Sequence, residues 1–174
     1  MILGLDISTS IIGYTILDKD NKIIECDCIR LEKFKDFFVK AKNVKNKLVS
    51  IAKQYDISSV YIEESLQAFK PGFSSASTIQ SLSKFNGVVS WLCSEIFDLT
   101  PEYISAGTAR KFCGIKVPKG EKAKIFVFNF ILDTIPEFNV EYTAKGNPVP
   151  GSFDRADSYV IAEAGNVLCQ MNKK

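Results

Sequence analysis

The sequence predicts a single α/β domain over residues 1–174. Its five-stranded mixed sheet starts as an antiparallel meander (β1–β3) and is flanked by helices. Three observations predict this class. β-branched and apolar runs fill residues 2–31, with only short polar corners between them. From residue 33 the apolar spacing changes from steps of two to steps of three and four. Beyond that point two short β-rich runs alternate with helical stretches, the order expected of a sheet covered by helices. A chain of this length buries one core of ordinary size.

Each element follows from local pattern. Ile2-Leu3-Gly4-Leu5-Asp6-Ile7 is a short apolar strand interrupted by one acid. Ser8 to Ser10 make a polar corner, and residues 11–17 form a second strand containing Gly13. Residues 18–21 are a turn, and residues 22–31 alternate as a third strand. Phe34, Phe37, Phe38, Ala41, Val44, Leu48, Ile51 and Ala52 then recur at helical steps with lysines opposite, predicting an amphipathic helix over residues 33–55. Residues 57–62 are a fourth strand ending at Glu63-Glu64, and residues 67–77 read as a serine-rich surface loop. A helix over 78–97, a brief strand over 101–105 and a helix over 108–113 follow. Pro118-Lys119-Gly120-Glu121 opens another helix running to about residue 133. Residues 138–152 are an irregular loop, and the last helix starts at Ser152, a capping residue.

Composition narrows the chemistry. Apolar residues are 46% and charged residues 24%, a globular balance. No apolar run approaches a membrane span, and the N-terminus lacks the pattern of a secretory signal. The chain has no histidine, which excludes histidine triads and histidine-ligated zinc. Five cysteines without a C-x-x-C pair fit a reducing compartment such as the cytoplasm. Net charge is only +2, but lysines crowd two windows, 33–53 and 111–124, either of which faces solvent or a polyanion.

Catalysis must therefore rest on carboxylates, lysines, hydroxyls or a bound metal. Asp6 is costly within an apolar strand unless it is paired or bound to a cation. Glu63 and Glu64 end the fourth strand, and alternation allows only one of them to share a face with Asp6. Asp154 and Asp157 are three apart at the start of the last helix, so both carboxylates lie on one face. Acids at two strand ends plus this pair suit an oxygen-rich site for Mg²⁺ or Mn²⁺ and two-metal phosphoryl chemistry.

Taken in order, Ile2-Leu3-Gly4-Leu5-Asp6-Ile7 with Gly13-Tyr14, Tyr61-Ile62-Glu63 and Asp154-Arg155-Ala156-Asp157-Ser158-Tyr159-Val160-Ile161-Ala162 resemble the RuvC family of Holliday-junction resolvases, within the RNase H-like fold. Gly120-Glu121-Lys122 resembles the basic helix start that the family sets against DNA phosphates. The resemblance implies an endonuclease that cuts four-way junctions in pairs and leaves 5′-phosphate and 3′-hydroxyl ends. Asp6, Glu63, Asp154 and Asp157 would hold two Mg²⁺ or Mn²⁺ ions, with Lys122 in the catalytic set. Lys111, Lys119, Lys122, Lys124 and Arg110 would contact DNA. Where some family members carry a base-stacking aromatic this chain has Leu66, so Phe69 and Phe73 are the candidates for that role. Two other readings stay open: another RNase H-like nuclease acting on RNA–DNA hybrids or flaps, and a non-catalytic DNA-binding protein.

The resemblance also implies a homodimer, because paired cuts need two sites related by a two-fold axis. Leu82, Phe85, Val89, Leu92 and Ile96 step by three and four and are the expected seam.

Overall fold

The computed structural model describes residues 1–64 and 76–171. Strands β1 (Ile2–Asp6), β2 (Ile11–Leu17) and β3 (Ile23–Arg30) form the meander. Helix α1 (Phe37–Gln54), strand β4 (Ser59–Glu63), helix α2 (Ala76–Phe97) and strand β5 (Glu102–Ile104) follow. Helices α3 (Ala106–Phe112), α4 (Ala123–Thr134) and α5 (Ser152–Met171) complete the described order. The sheet runs β3-β2-β1-β4-β5. β1 and β4 pair in parallel, as do β4 and β5, whereas β2 is antiparallel to both its neighbours. Parallel pairing requires the chain to recross the sheet, which is why helices replace tight turns after β3.

Strand alternation divides the core in two. Leu3 and Leu5 of β1, Tyr14 of β2 and Ile62 of β4 point toward α1 and α2, where Val44, Leu48, Phe85 and Val89 close over them. Ile2 and Tyr61 point to the opposite face, under Ala156, Tyr159 and Ile161 of α5 and Phe128 of α4. On the α1 side the buried Tyr14 hydroxyl donates to Glu25, which also accepts from Lys47 at 3.1 Å. The same ammonium lies 4.9 Å from the Tyr14 ring centre, so one polar knot joins β2, β3 and α1.

The observed elements depart from expectation in four places. α1 begins at Phe37 because Asp36 caps it, accepting from the Val39 N–H at 2.8 Å. Phe38 leaves the predicted apolar stripe and is 77% exposed, since its neighbour Phe37 takes the inward position against Phe85. Residues 118–121 are a turn and not helix: Glu121 N–H donates to Pro118 C=O, and Gly120 adopts φ +93°. The 138–152 loop contains a small hairpin, with Tyr142 bridged to Pro148 and Thr143 N–H donating to Asn147 C=O.

Of the residues expected in the dimer seam, Phe85 and Val89 are fully buried, Leu92 is buried, Ile96 packs on the same core, and Leu82 is half-buried. α2 is covered by both α1 and the sheet, so most of these residues pack within one chain. Its large outward residue is Trp91, 59% exposed.

Candidate active site

The site forms at the end of the sheet where β1 and β4 finish side by side. Their register pairs Leu5 with Ile62, so the next residues, Asp6 and Glu63, lie across from each other. Two residues earlier, Gly4 packs on Ala162 and the Tyr61 ring lies against Gly165, both on α5. By alternation Asp6 and Glu63 therefore face α5 as well. Glu64 lies past the end of β4, is exposed, and donates its N–H to the Ile104 carbonyl at 2.9 Å.

α5 brings the other two acids because it lies unusually close to the sheet. Gly13 pairs with Asp6 in the β1–β2 register, and a Cβ on Gly13 would meet the Asp154 carbonyl oxygen at 1.9 Å. Only a glycine allows the first turn of α5 to sit there. The buried hydroxyls of Thr15 and Ser158 meet at 2.9 Å and fix the helix register on β2. Arg155, between the two acids, donates from Nε to the Cys26 carbonyl at 3.0 Å and from Nη2 to the Asn139 carbonyl at 2.9 Å. Its guanidinium also lies 5.2 Å from the Phe138 ring centre. The arginine thus ties the start of α5 to β3 and to the connection after α4. The sequence carried a signal for this residue, one of three arginines and flanked by the acid pair, but no pattern that revealed its partners.

Burial and neighbouring charges act on these carboxylates. Burial, and then the charges of Glu63, Asp157 and Asp154, hold Asp6 well above the usual carboxylate range. Asp157 is pushed up to about 7 by burial and by Glu63 and Asp154, against the pull of Lys124 and Arg110. Burial raises Glu63 too, while Arg110 and Lys124 oppose the rise.

Lys124 reaches into this group from the first turn of α4, its Nζ 2.9 Å from Asp154 Oδ1. Burial alone would lower its pKa, but the hydrogen bond with Asp154 and the charges of Asp154, Asp157 and Asp6 raise it. Lys122 stands apart at the α4 N-cap, exposed, its carbonyl accepting from Ile125 and Phe126 N–H. Lys111 and Lys119 are exposed, whereas Arg110 is half-buried and near enough to Glu63 and Asp157 to act on both. Phe69 and Phe73 lie outside the described residues.

The donor set suits a hard divalent cation: carboxylate oxygens, no competing soft ligand, and mutual repulsion that a cation would relieve. As the side chains stand, no group of three or more acids among the described residues is arranged to hold an ion. Lys124 instead occupies Asp154, supplying the positive charge itself.

No protein-family model matches the chain, and no curated protein matches it. Solved structures do. T. thermophilus RuvC in complex with a Holliday junction substrate superposes with a TM-score of 0.67 at 11% identity, over 98% of this chain and 94% of that one. The structure of Thermus thermophilus RuvC gives 0.63 at 11% identity, over 98% and 96%. The yeast mitochondrial Holliday junction resolvase Ydc2 gives 0.56 at 15% identity, over 99% and 80%. The five-stranded mixed sheet with its flanking helices is the RNase H-like fold in the form RuvC adopts. Among the described residues no helix is long and apolar enough to cross a membrane.

Proposed function

We propose that this protein is a divalent-metal-dependent endonuclease that resolves four-way DNA junctions. The observation that carries the reading is the meeting of Asp6 and Glu63 across β1 and β4, beneath Asp154 and Asp157 on α5. On this reading the four acids hold two Mg²⁺ or Mn²⁺ ions. Such ions supply the charge that activates a water and stabilises the departing 3′-oxygen, giving 5′-phosphate and 3′-hydroxyl ends. On the same reading Arg110 and Lys124 would meet phosphate oxygens, and loss of Lys124 from Asp154 would accompany metal loading. Lys111, Lys119 and Lys122 add sequence-independent affinity from the exposed rim. Paired incision requires two copies of the site, which we assign to a homodimer.

The test is a synthetic mobile four-way junction incubated with the protein in Mg²⁺ and in EDTA. Paired, ligatable nicks in Mg²⁺ alone are expected. Binding without cutting in any divalent ion would leave a DNA-binding protein. Cutting of RNA–DNA hybrid in preference to the junction would indicate a different nuclease on the same fold.

A further inference from the structure

The lysine window at 33–53 takes no part in the site described above, yet it is the most one-sided charge distribution in the chain. Residues 33–54 hold seven lysines and one acid, Asp36, which is committed to capping α1. Within α1 itself there is no acid at all. Two of the lysines serve the fold: Lys47 pairs with Glu25, and Lys40 donates to the Thr9 carbonyl. Lys33, Lys35, Lys42 and Lys45 are exposed, and no carboxylate among the described residues lies within ion-pair distance of them. Steps of four and three set Phe38, Lys42 and Lys45 on one outward face, opposite the buried Val44, Leu48 and Ile51. Phe38 is held there edge-on to Phe37, with ring centres 5.5 Å apart.

The position of this face matters as much as its charge. Lys40 fixes α1 to Thr9 in the β1–β2 corner, and Leu31 N–H donates to Ser10 C=O at 2.8 Å. That corner immediately follows Asp6, so the first half of α1 lies at the same end of the sheet as the four acids. The helix lies on the sheet face opposite α5, joined to β3 through the Lys47–Glu25 pair, whereas Arg110 and Lys124 flank the acids from α3 and α4.

We infer that the outward face of α1, built from Lys42, Lys45 and Phe38 with Lys33 and Lys35 at its foot, is a second binding surface for the sugar-phosphate backbone of duplex DNA. The charge argument selects the partner: an acid-free lysine face complements a polyanion and suits no acid-poor protein surface. The inference deepens the nuclease reading and rests on it for the identity of the duplex as an arm of the substrate. Phe38 places an exposed apolar ring beside the lysines, where it can meet a sugar edge.

The test combines Lys35→Gln, Lys42→Gln and Lys45→Gln, exposed changes between residues of similar helix propensity. Affinity is measured in EDTA over a salt series, for a long-armed junction, a junction with arms of about one helical turn, and a linear duplex. The triple variant is expected to bind the long-armed junction and the linear duplex about tenfold or more weakly, with a log–log salt slope shallower by about 3. Short-armed junctions are expected to be bound in EDTA, and cut in Mg²⁺, as by the wild type. Phe38→Ala alone is expected to weaken duplex binding with no change in salt slope. Unchanged affinity and slope on both long substrates, in a variant with wild-type melting, would overturn the inference. So would binding of anionic lipid vesicles that the triple substitution abolishes while duplex binding persists. Failure of the wild type to cut any junction would overturn the nuclease reading alone, because the linear-duplex measurement tests α1 independently.

Discussion

Asp157 shows how a residue reports the purpose of its surroundings. Its carboxyl titrates near 7 because it is buried beside Glu63 and Asp154. In the unfolded chain it titrates near about 3.9. Between those values the folded protein keeps a proton that the unfolded chain has released. Its contribution therefore favours folding at the acid end and is lost as pH rises toward 7. Asp6 and Glu63, also raised, act in the same direction. In EDTA, wild-type melting temperature is expected to fall relative to that of Asp157→Asn between about pH 5 and pH 7.5. Parallel melting of the two proteins across that range would contradict the raised Asp157 titration. Asp6→Asn and Asp157→Asn are each expected to slow junction cutting by at least about a hundredfold, with binding retained because phosphate contacts come from lysines. Near wild-type cutting by either variant would remove that acid from the site.

At the level of elements, the contact of α5 with the sheet decides whether the acids meet. Gly13→Ala forces a methyl group into the Asp154 carbonyl, and the first turn of α5 must lift. We expect a cost at the upper end of about 1–3 kcal/mol in urea denaturation, with cutting reduced more than junction binding. The packing of α2 makes the opposite kind of prediction. Phe85→Ala is expected to cost about 3–5 kcal/mol because the ring is fully buried in the monomer, whereas Trp91→Ala is expected to cost about 0.5 kcal/mol or less in the monomer. Equal, small effects would restore the seam to the surface. These two helices also mark how much of the fold was legible in the sequence. The β1–β3 meander, the start of α5 and the candidate acids follow from period and from charge placed within an apolar run, although Ser152 lies inside α5 and its hydroxyl donates to the Val149 carbonyl instead of capping the helix. The destination of the α2 seam does not, because periodicity states that a face is covered without stating by what. Phe37 and Phe38 make the same point: two adjacent aromatics cannot both face inward, and the α1 contact with Phe85 decides between them. Gly13 was legible as a motif residue, but its reason is a distance across 141 positions of sequence, to Asp154.

For the whole molecule, paired cutting predicts self-association. Sedimentation equilibrium at tens of micromolar is expected to give twice the chain mass, and a monomer that still makes paired incisions would show that two-fold assembly is not needed. The strand order brings a further consequence. β1, β2 and β4 are all synthesised before residue 64, yet α5, which packs on all three and carries Asp154 and Asp157, leaves the ribosome after them. A nascent chain therefore carries Asp6 and Glu63 on a sheet not yet covered by α5 for about half of its translation, with half the acids still missing. Contacts so distant in sequence form late in folding. On the proposed nuclease reading, this order keeps the nascent chain and any prematurely terminated product harmless, because the capacity to cut would arrive with the helix that completes the core.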